Sequence, residues 1–153
     1  MAEPQRKIYF AASISAGRDD VAVYDRIISE LRRHGEVLTP QLGEPSLGTH
    51  GEPLAAHVIR ENELELIRRC EAFIAEISTP SLGVGYQLAL ASQWQRPALC
   101  LYRPDPQRPV SKMIAGDPNV VHAPYEIAEE IPAILGQFFE VLELLESEEG
   151  ASA

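Results

Sequence analysis

The chain has 153 residues, of which 45% are hydrophobic and 24% charged, and a formal net charge of −10. That length suits one domain with a core large enough to need no staples. The negative charge excludes a general binder of nucleic acid polymers or acidic membrane surfaces, but not a pocket that holds a small anion with local donors. The two cysteines, Cys70 and Cys100, show neither metal spacing nor a redox motif and read as small core hydrophobes in a reducing compartment. No run is apolar enough to span a membrane, and no signal-peptide core follows the N-terminus, so the expected location is cytoplasmic, extending to the nucleus in a eukaryote.

Residues 7–11 read as a first, buried strand, followed by a small-residue loop over 12–18. Asp19 or Asp20 can cap a helix that runs from 21 to 34 on an apolar stripe of Val23, Ile27, Ile28 and Leu31 and ends at Gly35. A short strand is expected at 36–38, then a loop over 39–53 with no clear period. A second helix spans 54–69, with Val58, Ile59, Leu66 and Ile67 inward. Glu63 follows Ile59 by four and precedes Leu66 by three, so it shares that inward face. Residues 72–77 form a buried strand, 85–94 a helix, 97–102 another strand, 110–114 a short helix and 120–121 a fifth strand. The last helix is expected over 126–145, starting late or kinking at Pro132, with Ile127, Ile131, Ile134, Leu135, Phe138, Val141, Leu142 and Leu145 inward. Residues 1–6 and the acidic tail 146–153 are expected to be disordered around a single domain at 7–145. Strand and helix alternate throughout, which gives a doubly wound α/β fold with a five-stranded parallel sheet.

Three small-residue segments, 12–17, 39–43 and 78–85, follow strands and in such a fold surround one crevice at the carboxyl edge of the sheet. The hydroxyls of Ser13 and Ser81 can donate to a phosphate, with main-chain amides of Ile14, Ser15 and Gly83 beside them. Gln87 is placed in the first turn of the helix that follows, facing the loop. No P-loop, dinucleotide-binding glycine pattern, nucleophile elbow or zinc ligand spacing is present. Any catalysis therefore falls to carboxylates, with Glu63 ahead of Glu76. For Glu63 a helix-edge residue reaching to water is an equal account, and Tyr9 reads as either a core aromatic or a hydroxyl that reaches the crevice.

Tyr9-Phe10-x-x-Ser13-Ile14, Gly17-Arg18-x-Asp20, Gly35-x-Val37-Leu38-Thr39, Pro80-Ser81-Leu82-Gly83-Val84-Gly85-Tyr86, Arg96-Pro97, Arg103-Pro104 and Val110-Ser111-x-Met113-Ile114 together resemble the 2′-deoxynucleoside 5′-phosphate N-hydrolases of the nucleoside 2-deoxyribosyltransferase superfamily. The resemblance covers roughly residues 7–145, and the heptad at 80–86 is its most specific part. It implies a Rossmann-like homodimer, without metal or cofactor, that cleaves the N-glycosidic bond of deoxynucleoside monophosphates. It further implies that Ser13, Ile14, Ser15 and Ala16 line the first loop of the site and that Ser81 and Gly83 hold the phosphate. Ser111 would reach the neighbouring subunit's phosphate, and Tyr9 and Glu63 would assist catalysis.

The chain departs from the family at three points. The nucleophilic Glu that follows the heptad is here Gln87, an amide that cannot attack a sugar or stabilise its cation as a carboxylate does. Glu63 stands where an Asp is usual, and the first loop lacks the family's Arg. Gln87 is either an engineered trap or natural divergence, the latter making Glu63 the working carboxylate or the chain a nucleotide binder only; with Gln87 as it stands a strongly impaired hydrolase is expected. The alternatives are a silent nucleotide-binding dimer and, more weakly, a base-exchanging deoxyribosyltransferase, which the serine set at 13, 81 and 111 disfavours because it suits a phosphate.

Overall fold

A computed structural model describes residues 5–14, 20–44, 46–48 and 51–153. Strands β1 (Lys7–Ala11), β2 (Glu36–Val37), β3 (Ala72–Glu76), β4 (Ala98–Tyr102) and β5 (Val120–Pro124) form one parallel sheet in the order β2-β1-β3-β4-β5. Helices α1 (Val21–Leu31), α2 (Ala56–Arg69), α3 (Leu82–Gln93), α4 (Lys112–Ala115) and α5 (Ile131–Ser152) alternate with them. This is the expected doubly wound architecture. The chain leaves β1 for β2 on one side and returns to β3 on the other, so the crevice of the fold opens between the carboxyl ends of β1 and β3.

Strand alternation divides the core into two layers. Ile8, Phe10, Ile74, Leu99 and Leu101 face α1 and α5, where Ile27, Ile28, Leu31, Leu135 and Phe139 cover them. Tyr9, Ala11, Phe73, Ala75 and Cys100 face the other way, toward Ile67 of α2 and Val84, Leu88 and Ala91 of α3. Both cysteines are free and fully buried, as their apolar reading required. Gly35 sits so close to the neighbouring chain that a Cβ would lie 2.1 Å from the Arg6 carbonyl oxygen, so only glycine fits where the chain turns from α1 into β2. Among the described residues no helix is long and apolar enough to cross a membrane.

Several expectations need correction. Helix α3 begins at Leu82, three residues early, because Ser81 caps it: its hydroxyl accepts from the Val84 amide at 3.3 Å. Gly83 and Gly85 therefore belong to the helix, and Gln87 lies in its second turn. Helix α5 begins at Ile131 with Pro132 in its first turn, where a missing N–H costs nothing, so the late start anticipated at Pro132 is observed. It continues to Ser152, so the tail expected to be disordered from 146 is helical. Arg6, expected in a loose N-terminus, pairs with Glu146 at 2.6 Å. Ile127, Val141 and Leu145, expected inward, are about half exposed at 57%, 48% and 52%. The apolar face of α5 is thus narrower than its hydrophobic count suggests.

Candidate active site

The carboxyl edge of β1 and β3 opens into a pocket of about 240 Å³. All three predicted loops contribute: Ala12 and Ile14 after β1, Thr39 and Gln41 after β2, and Ser81 and Gly83 at the start of α3. Ser15 and Ala16, expected in the first loop, lie outside the described residues, as does Arg18.

Tyr9, Glu63 and Gln87 meet on one wall. The Tyr9 ring is buried and stacks on Phe73, its partner across the β1–β3 register, with centroids 5.1 Å apart and planes 8° from parallel. That stacking aims the hydroxyl at α2, where it donates to Glu63 Oε2. The Gln87 side-chain amide, from α3, donates to the same oxygen at 3.2 Å. No described residue donates to Oε1. Both sequence alternatives for Tyr9 hold at once: a core aromatic ring and a hydroxyl at the crevice. Glu63 is not the solvent-seeking helix-edge residue of the competing account. Burial pushes its carboxyl above the ordinary carboxylate range.

The anion-binding features are divided. Ser81 borders the pocket and caps α3, and Gly83 has open space where a Cβ would stand, its nearest neighbour being the Ser81 hydroxyl at 3.8 Å. The first amides of α3 have no acceptor within the helix, which makes this end receptive to negative charge. Ser13 is fully buried and does not border the pocket, and its hydroxyl finds no partner among the described residues. Ser111 is exposed and lies on a second hollow of about 490 Å³, bordered also by Arg103, Leu82 and Met113. Ser81 is shared between the two hollows.

Sequence reasoning missed the apolar floor of the pocket, formed by Leu42, Leu47, Ile59 and Val84. The signal for Leu42 was Pro40, which opens a 3-10 turn over Pro40–Gly43 and turns Leu42 inward. The Thr39 hydroxyl is spent on structure: it donates to the Phe10 carbonyl at 2.7 Å and accepts from the Phe10 amide at 3.0 Å, continuing the pairing where β2 ends. Glu76, the lesser candidate, does not face the pocket but points to the α1–α5 side of the sheet.

A model of the family described as nucleoside 2-deoxyribosyltransferase matches residues 8–123. The mouse protein named 5-hydroxymethyl-dUMP N-hydrolase is 40% identical over 137 residues, spanning 87% of this chain and 79% of the mouse protein. A Nematostella vectensis protein, named as a 2′-deoxynucleoside 5′-phosphate N-hydrolase, is 40% identical over 139 residues, spanning 88% of this chain and 94% of that one. Among solved structures, the Clostridium botulinum CMP N-glycosidase BcmB superposes with a TM-score of 0.68 at 17% identity, covering 87% of this chain and 99% of that chain. The solution structure of BlsM superposes with a TM-score of 0.73 at 15% identity, covering 95% and 96%. At such identities the last two bear on the fold alone.

Proposed function

The chain belongs to the nucleoside 2-deoxyribosyltransferase family and is an N-glycosidase, and from that premise we propose that it hydrolyses the N-glycosidic bond of (2′-deoxy)nucleoside 5′-monophosphates, releasing free base and (2-deoxy)ribose 5-phosphate. The observation that carries this reading is the convergence of the Glu63 carboxyl, the Tyr9 hydroxyl and the Gln87 amide beside the Ser81-capped end of α3. The relatives named as deoxynucleotide N-hydrolases, at about 40% identity, support the substrate class.

The division of labour follows from the chemistry. Base departure leaves positive charge on the sugar and needs a proton on the leaving nitrogen. Glu63, its carboxyl raised by burial and its Oε2 held by Tyr9 and Gln87, keeps a proton to higher pH than an ordinary glutamate and borders the pocket, with no described residue donating to its Oε1. Ser81, Gly83 and the α3 amides hold the phosphate away from the bond that breaks, which fixes the sugar above the reacting wall. Ile14, from the first loop, borders the pocket beside the substrate. No metal or other cofactor has a step in this scheme.

Gln87 stands at the position that would trap or stabilise the sugar cation, and an amide does this poorly. Hydrolysis by the chain as it stands is therefore slow. Ser111 serves the phosphate of a second copy in a homodimer. Leu82 and Met113, which line the hollow that holds Ser111 and are 97% and 86% exposed, favour burial against that copy. The enzyme works in the cytoplasm, or also in the nucleus if the source is a eukaryote.

The test is release of free base from deoxynucleoside 5′-monophosphates by the chain and by its Gln87→Glu variant. A faster Glu variant supports the assignment, and a Glu variant that is no faster removes residue 87 from the chemistry. The Gln87 amide also favours a second reading, a silent nucleotide-binding dimer. Nucleotide binding without turnover in both variants would establish it.

A further inference from the structure

On the α1–α5 side of the sheet edge, Glu76 is fully buried at the end of the central strand β3. Its carboxylate accepts from the Ser78 hydroxyl, from the Ser78 amide at 3.3 Å and from the Tyr125 hydroxyl at 2.9 Å. The Ser78 oxygen in turn accepts from the Arg103 amide at 2.8 Å. The Arg103 guanidinium donates to Asp20 at 2.7 Å and to the Tyr125 hydroxyl at 3.4 Å, and the Thr79 hydroxyl lies 3.4 Å from the same Asp20 oxygen. Asp20 is the N-cap position of α1. One buried carboxylate thus gathers the ends of β3, β4 and β5 and the start of α1 into a single hydrogen-bonded unit.

None of these groups borders the pocket that contains Tyr9, Glu63 and Gln87. Their link to it is the segment from Ser78 to Ser81, at most about 10 Å of chain. Ser78 and Thr79 are pinned, Pro80 has a restricted backbone, and Ser81 follows as the cap of α3 and a wall of the pocket. A buried charged network is a poor way to gain stability compared with apolar packing, so its presence beside a functional loop calls for another account.

We propose that Glu76 is a positioning residue for the phosphate-binding end of the site: through Ser78 it sets where Ser81 and the first amides of α3 stand. It touches no substrate. The proposal rests on the monophosphate reading above and adds the claim that the precision of phosphate binding is set from the opposite face of the sheet. It follows that breaking the network loosens the grip on the phosphate and leaves contacts to base and sugar in place.

The test is calorimetric titration of the full chain with a deoxynucleoside 5′-monophosphate and, separately, with the matching nucleoside. It is made on the wild type, Glu76→Gln, Ser78→Ala and Ser78→Thr, with thermal melting alongside. Ser78→Ala removes only the loop end of the network and covers the case in which Glu76→Gln does not fold. The expected result is monophosphate binding weakened about tenfold in Glu76→Gln and Ser78→Ala, the size of one lost charge-assisted hydrogen bond. Nucleoside binding stays unchanged and Ser78→Thr recovers the monophosphate affinity. Variants that melt lower but bind the monophosphate like the wild type would overturn the inference alone, and so would an equal loss for both ligands. A folded wild type that binds no monophosphate would overturn the substrate reading and this inference with it.

Discussion

Glu63 and Glu76 lie at the same edge of one sheet, on opposite faces, and burial pushes both carboxyls above the ordinary range. Their surroundings differ in what is left over. Glu63 has two neutral donors on one oxygen and a pocket beside it. Glu76 receives three donors, with Arg103 close enough to oppose the upward shift, and itself borders neither hollow. The lesson is that burial alone does not mark a reacting carboxylate. On the proposed reading the mark is burial with unspent bonding capacity beside a hollow, and the saturated carboxylate across the sheet serves the structure that holds it.

The sharpest way to extend that contrast is to change the pocket wall. Gln87→Glu should raise base release from a deoxynucleoside monophosphate by roughly a hundredfold or more, since it supplies negative charge where the sugar cation forms. Adding Glu63→Gln to that variant should remove most of the gain, as seen in the same assay. If the double variant is as fast as Gln87→Glu, Glu63 has no part in the chemistry.

Stability should show the opposite ranking. Glu76→Ala leaves the Ser78 and Tyr125 donors buried without an acceptor and Arg103 less compensated, and should cost about 3 kcal/mol in urea denaturation. Glu63→Ala, beside an open pocket, should cost about 1 kcal/mol or less. Equal costs would erase the distinction between a holding and a reacting group.

A smaller effect concerns pH. A carboxyl whose folded value lies above the ordinary 4.5 binds its proton more tightly in the native state. The stability it contributes is full below 4.5 and is lost as pH rises through the folded value. Melting temperatures of the wild type should therefore fall relative to Glu63→Gln as pH is raised from 4.5 toward neutrality. A gap that moves the other way would mean that Tyr9 and Gln87 stabilise the ionised form more than burial opposes it.

The smallest effect is a rate of labelling. Cys70 and Cys100 are buried, and burial pushes their thiols up to about 11 and about 12. At neutral pH a thiol reagent should label the wild type and Glu63→Gln equally slowly. It should label Glu76→Ala faster, because loss of the network lets the sheet edge open more often.

The fold was legible because strand and helix periods are strong signals. The isolated apolar strands and the stripe of Val23, Ile27, Ile28 and Leu31 carry their own assignments, and parallel connectivity brings the three loops together. The pairing of Glu63 with the inward face of α2 also followed from spacing alone. The start of α3 was misplaced because two glycines weigh against a helix, whereas the Ser81 cap weighs more. The Glu76 unit was not legible, since Tyr125 stands 49 positions from Glu76, Arg103 stands 25 from Ser78, and Arg103 reaches 83 positions back to Asp20, all in segments without period. The loss of Ser13 from the pocket was equally hidden, because strand direction at the end of β1 decides which of three consecutive small residues faces inward.

On the proposed reading, the stacking of Tyr9 on Phe73 couples the chemistry to the order in which the chain assembles. These rings meet only when β1 and β3 have closed in correct register, a parallel pairing between segments far apart in sequence and therefore slow to form. A slip of one residue would send the phenol to the other layer. During renaturation, catalytic competence should therefore return last, after helical signal has recovered, and no collapsed intermediate with an unregistered sheet would turn over nucleotide.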